Sequence, residues 1–152
     1  MSSWIGWDTL IVEVITGCDK VFVYGTLRRG LPLHHHLDAG VTELVSEGTI
    51  HGRLYDLGEY PGALASGKPE DRVKGEVYLL QDVERQLQEL DLVEECRPDR
   101  PHDGLFLRRV ANVRMTTGGI LEAWAYFLPK KPDKARLIPG GDYARKQPSP
   151  DR

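Results

Sequence analysis

A carboxylate sits where an apolar side chain belongs in residues 82–95, DVERQLQELDLVEE, the clearest helical pattern of the chain. Val83, Leu87 and Leu90 recur at the i, i+4, i+7 spacing of one helix face. At about 100° per residue, Glu94 falls within about 40° of all three, whereas Glu95 lies about 100° further round. A carboxylate held at the edge of a core loses hydration. Its charged form is penalised and its pKa rises toward the range in which one group can both take and give a proton. Glu94 is therefore a candidate general acid/base. The same spacing also allows a helix that ends at Asp91 or Leu92, leaving Glu94 on a solvated turn, and pattern alone does not decide between the two.

The second chemically suggestive stretch is VFVYGTLRRG, residues 21–30. A run of β-branched and aromatic residues stops abruptly at a small polar turn, which reads as a buried strand. Such a turn either reverses the chain or uses its exposed backbone N–H groups to hold an anion, and Gly25 would let a ligand approach the backbone closely. Arg28 and Arg29 read as a solvated pair. His34, His35 and His36 are adjacent, so on a helix they fan out and cannot converge on one metal ion. Glu76 shares a strand face with Tyr78 and is the rival acid/base, against the plainer reading of a solvated strand carboxylate. Cys96 with His102 could suggest a thiol nucleophile, although a lone pair of this kind in a loop carries little weight. Trp124 and Tyr126 are expected to pack a barrel or line its mouth.

The elements that must position these residues follow from patterning. A short helix is expected near 33–39, closed by Gly40. Residues 41–56 read as two short strands bending at Gly48 and Gly52, and LGEYPGALASGKPED reads as a long loop. RVKGEVYLL alternates as a strand, and Asp82 is placed to cap the helix that follows. Two strands near 105–115 and 119–128 are joined by the turn TTGG. Strands mostly neighbour strands, so the expected class is α+β with a sheet that curls into a small barrel, and a doubly wound parallel sheet is disfavoured.

With 152 residues, 40% hydrophobic and 28% charged, the chain has the size and composition of one globular domain. We divide it into an N-terminal extension, 1–17, a domain, 18–143, and a disordered tail, 144–152. The net charge of −3 argues against a generic nucleic-acid binder, which leaves a small molecule as the expected partner. Cys18 and Cys96 match no zinc or disulfide framework. No stretch is long enough to span a bilayer and the N-terminus lacks a basic leader, so the expectation is a cytoplasmic protein with no membrane partner.

VFVYGTLRRG, LYDLGEYPG, VKGEVYLL, LDLVEEC, FLRRVANV, AWAYFL and PGGDY follow one another in an order and spacing that resembles the γ-glutamylcyclotransferase-like family, which includes γ-glutamylamine cyclotransferases and AIG2-like proteins. The likeness runs from about Lys20 to about Tyr143. It implies a small mixed β-barrel with flanking helices and a cavity at one end. It also implies that Tyr24, Gly25, Thr26 and Leu27 hold the γ-glutamyl part of a substrate, that Glu94 is the catalytic acid/base, and that no cofactor or metal is used. The implied reaction releases 5-oxoproline and an amine. Phe106 departs from the family pattern, standing where a Tyr usually opens a Y-x-R motif that ends here at Arg108. Glu95 replaces the small residue that commonly follows the glutamate, and Leu33 stands where Asn often precedes the His matched by His34. Phe106 and Glu95 favour the alternative, a non-catalytic protein that binds a small molecule in the same pocket. The residues do not specify the leaving amine or the oligomeric state.

Overall fold

Alternation of inward apolar and outward polar residues builds most of the fold. The computed structural model describes residues 18–25, 43–58, 60–96 and 104–143. In chain order the elements are β1 (Lys20–Val23), β2 (Glu43–Asp56), β3 (Pro61–Ala65), β4 (Arg72–Leu79), α1 (Val83–Val93), β5 (Leu107–Met115), β6 (Ile120–Phe127) and β7 (Arg136–Leu137), followed by a 3₁₀ turn over Pro139–Gly141. The expected extension 1–17, helix 33–39 and tail 144–152 lie outside the described residues.

The strands close on themselves. β1 pairs with β4, β4 with β2, β2 with β3, β3 with β6, and β6 with β1, which completes a circuit of five strands. The β3–β6 and β1–β6 pairings are parallel and the others antiparallel, so the barrel is mixed. β5 lies antiparallel to β6 and reaches β2. This is the α+β mixed barrel expected from the sequence. Inside it sit Phe22, Ile50, Leu54, Val73, Val77 and Val113. A second apolar cluster joins the outer wall, through Val21, Val23 and Tyr78, to Leu87 and Leu90 of α1.

Two expectations are corrected. Residues 43–56 form one fourteen-residue strand rather than two. Gly48 marks close contact rather than a bend, because a Cβ there would lie 2.7 Å from the Arg114 carbonyl oxygen and 2.7 Å from Val113 Cγ1. Its missing side chain is what lets β2 and β5 approach inside a narrow barrel. The irregularity of β2 falls between Leu44 and Ser46 instead. The second correction lies in the stretch read as a long loop, where Pro61–Ala65 forms β3. Proline at the first position of a strand is tolerated, and the rest of the segment is zipped between β2 and β6, with Leu128 N–H donating to the Ala63 carbonyl at 2.7 Å.

The termini of α1 matter most for the site. Asp82 stands at the N-cap as expected, but its carboxylate makes no cap bond and instead accepts from Arg85 Nε at 3.0 Å. The Asp82 N–H donates to Gln86 Oε1 at 2.9 Å. The helix runs to Val93 with Glu94 as its C-cap, so it does not stop at Asp91 or Leu92. Cys96 N–H donates to the Asp91 carbonyl at 2.8 Å and Glu95 N–H to the Leu92 carbonyl at 3.2 Å, the two bonds of a Schellman ending. Glu95 occupies the left-handed position of that motif, at φ 53°.

Candidate active site

Glu94 is carried on the last turn of α1 to the end of β1, where a cavity lies between the helix and the barrel. Phe22, Tyr24, Gly25, Tyr60, Pro61 and Tyr126 line it together with Glu94. As a whole residue Glu94 is only half-buried, because its backbone ends a surface helix, but its carboxyl faces this aromatic wall. Loss of hydration there pushes its pKa up from 4.5 to about 7. A group poised at that value can exchange a proton in either direction near neutral pH.

Tyr24 follows the last residue of β1 and turns into the barrel. Its hydroxyl donates to the Tyr126 carbonyl at 2.6 Å and accepts the Ala63 N–H at 3.1 Å, so one side chain ties the end of β1 to β6 and β3. Burial, helped by the negative charge of Glu94, pushes its pKa far up and keeps the phenol protonated. A Cβ on Gly25 would stand 2.8 Å from Pro61 Cγ, so the turn after β1 runs hard against the start of β3. Thr26 and Leu27, the other two residues expected to hold a ligand, lie outside the described residues, as do Arg28, Arg29, Leu33, the histidines 34–36 and His102.

The helix is anchored under the site by residues that sequence reasoning did not single out. Asp91, only 7% exposed, receives Arg108 Nε at 2.8 Å and Arg108 Nη2 at 3.1 Å, and Tyr126 Oη lies 2.6 Å from its Oδ1. The forked geometry of the guanidinium matches the carboxylate and fixes both. The Arg108 guanidinium also stacks 4.7 Å from the centre of the Trp124 ring, whose Nε1–H donates to the Cys18 carbonyl at 3.1 Å. A signal for Asp91 was present, since it lies four residues after Leu87 and three before Glu94, on the same stripe. Its partners are 17 and 35 residues away along the chain, beyond the reach of periodicity.

Other candidates fall into place around this centre. Phe106 is buried and its ring meets that of Tyr60 at 6.1 Å, making an apolar wall. Glu76 is buried rather than solvated and accepts from the Tyr78 hydroxyl at 2.8 Å, and it is absent from the lining of the Glu94 cavity. Burial raises the pKa of the Cys96 thiol, which works against thiolate chemistry at neutral pH. Among the described residues no group of three or more His, Cys, Asp or Glu could hold a metal ion, and no helix is long and apolar enough to cross a membrane.

This barrel, with a carboxylate delivered by one helix to its mouth, has known relatives. Residues 21–145 match the model of the family described as gamma-glutamyl cyclotransferase, AIG2-like, and the chain belongs to that family. A Vibrio cholerae protein carrying the name "Putative gamma-glutamylcyclotransferase" is 34% identical over 126 residues, covering 83% of this chain and 96% of that one. Among solved structures, an AIG2-like protein of Mus musculus superposes with a TM-score of 0.62 at 24% identity, over 76% of this chain and 80% of that one. YkqA of Bacillus subtilis superposes with a TM-score of 0.63 at 24% identity, over 82% of this chain, which spans 39% of YkqA. At these identities the two structures bear on the fold.

Proposed function

We propose that the protein is a γ-glutamylcyclotransferase that releases 5-oxoproline and a free amine or amino acid from a γ-glutamyl compound, with Glu94 as the general acid/base. The observation that carries this reading is the Glu94 carboxyl, held in a cavity beside the end of β1 with a pKa of about 7. The α-amine of the substrate attacks its own γ-carbonyl carbon, forming the lactam C–N bond, and the original amide C–N bond then breaks. Two protons leave the α-nitrogen and two arrive on the expelled nitrogen, which departs as an ammonium, so none is consumed overall. Glu94 as carboxylate takes a proton from the α-nitrogen and as carboxylic acid delivers it to the leaving nitrogen. Nucleophile and electrophile belong to one molecule, so holding the substrate bent supplies much of the acceleration. In this reading the backbone N–H groups of Tyr24, Gly25, Thr26 and Leu27 bind the γ-glutamyl part.

The test is to follow 5-oxoproline by mass spectrometry across γ-glutamyl amino acids, γ-glutamyl amines and glutathione, with Glu94→Gln as control. Turnover is expected to fall by about 100-fold or more in the variant. In the unmutated protein kcat/KM should rise with pH through about 7 as Glu94 ionises. Full activity of Glu94→Gln would sink the assignment. A second reading, a binding protein without turnover, draws on Phe106, which places a ring without a hydroxyl against Tyr60. It requires saturable binding of a γ-glutamyl ligand with no product formed.

A further inference from the structure

Two of the phenols around Glu94, Tyr24 and Tyr126, have their protons committed elsewhere. Arg108 donates from Nε and Nη2 to the two carboxylate oxygens of Asp91, at 2.8 and 3.1 Å, and a guanidinium stays charged at any working pH. Asp91 is thereby held as an acceptor. The Tyr126 hydroxyl, 2.6 Å from Asp91 Oδ1, must donate to it, because an ionised carboxylate has no proton to offer. A phenol has one proton, so Tyr126 can present only lone pairs to anything else. Tyr24 is in the same position, its proton given to the Tyr126 carbonyl.

Both phenols line the cavity with Glu94, and the Glu94 charge acts on both. The cavity's volume is about 30 Å³, room for about two water-sized groups. The residues that line this space include Glu94 and two tyrosines whose hydroxyls can only accept. The group that satisfies it is small, rich in N–H donors and cationic when Glu94 is ionised. An amino group has these properties. A carboxylate or a carbonyl oxygen would meet lone pairs at these two phenols, and is left to the backbone N–H groups on the Gly25 side of the cavity.

We propose that Tyr126 Oη accepts a hydrogen bond from the α-amino group of the substrate and holds it beside Glu94, and that Asp91, paired with Arg108, is the positioning residue that keeps Tyr126 an acceptor. The inference rests on the γ-glutamyl reading and assigns the amine end of that substrate to the helix side of the cavity. Arg108 and Asp91 lie one layer behind the ligand and act through the direction of a single phenolic proton.

The experiment compares two ligands in the Glu94→Gln background, where turnover is removed: a γ-glutamyl amide, and the glutaric acid monoamide that differs from it only in lacking the α-amino group. Calorimetry is expected to show tighter binding of the amine-bearing ligand. Adding Tyr126→Phe should weaken that ligand by about 10-fold and leave the monoamide unchanged. Equal weakening of both ligands, or of neither, overturns the proposal while the γ-glutamyl reading stands. Failure of Glu94→Gln protein to bind either ligand removes that reading and the proposal with it. Where melting shows that Phe at 126 unfolds the chain, 3,5-difluorotyrosine at 126 replaces it. Fluorine draws electron density from the phenolic oxygen and makes it a weaker acceptor in the same place, so the same selective loss is expected.

Discussion

Glu94→Gln should make the folded state progressively more stable, relative to the unmutated protein, as pH rises from acid to neutral. The reason is that the Glu94 pKa is about 7 in the fold against an ordinary 4.5. Below 4.5 the carboxyl is protonated in both folded and unfolded chains and contributes no difference. Between 4.5 and about 7 the unfolded chain has released a proton that the folded chain retains, so stability falls with rising pH, by about 1.4 kcal/mol per unit. Above that interval both states are ionised and the full cost, up to about 3 kcal/mol, is present. Gln keeps the shape of the side chain and removes the titration. Urea unfolding followed by tryptophan fluorescence, run on both proteins from about pH 4.5 to about pH 8, should show the variant gaining up to about 3 kcal/mol. Other groups titrate alike in the two proteins and cancel in the difference. A difference that stays flat across this range would mean that Glu94 ionises in the fold as it does in the open chain. The reasoning from burial to acid/base catalysis would then fail, whatever the activity of the variant.

Two further substitutions probe the backbone that frames the site. Glu95 sits at φ 53° in the left-handed position that ends α1, so Glu95→Gly should raise the unfolding free energy by up to about 1 kcal/mol, measured in the same urea titration. Gly25→Ala places a methyl 2.8 Å from the Pro61 ring; it should lower stability by about 1–3 kcal/mol and raise KM for a γ-glutamyl substrate, as read from steady-state kinetics and melting.

Much of the scaffold was legible because it depends on local periodicity. The alternation of Val73, Gly75 and Val77 marked β4, and the Gly118–Gly119 turn, with φ of 104° and 86°, marked the β5–β6 hairpin. Pro61–Ala65 was not legible as a strand. Its Gly and Pro composition is that of a loop, and what makes it β3 is the pair of neighbours that accept its backbone bonds. Gly48 and Gly52 looked like bends for a related reason, since a glycine that relieves crowding and one that turns the chain are the same letter.

The site divides along the same line. The sequence by itself determined that Glu94 continues the stripe of Val83, Leu87 and Leu90, because helix geometry depends on spacing alone. It also placed Tyr24 and Gly25 at a strand end. Only the tertiary structure decided that the helix persists to Val93, that the Glu94 carboxyl lies against Tyr24 and Tyr126 and loses its water, and that Asp91 joins Arg108 and Tyr126 beneath it. Desolvation and hydrogen-bond direction are set by residues 17 to 102 positions apart in the chain, brought together by closure of the barrel, and no local pattern encodes that meeting.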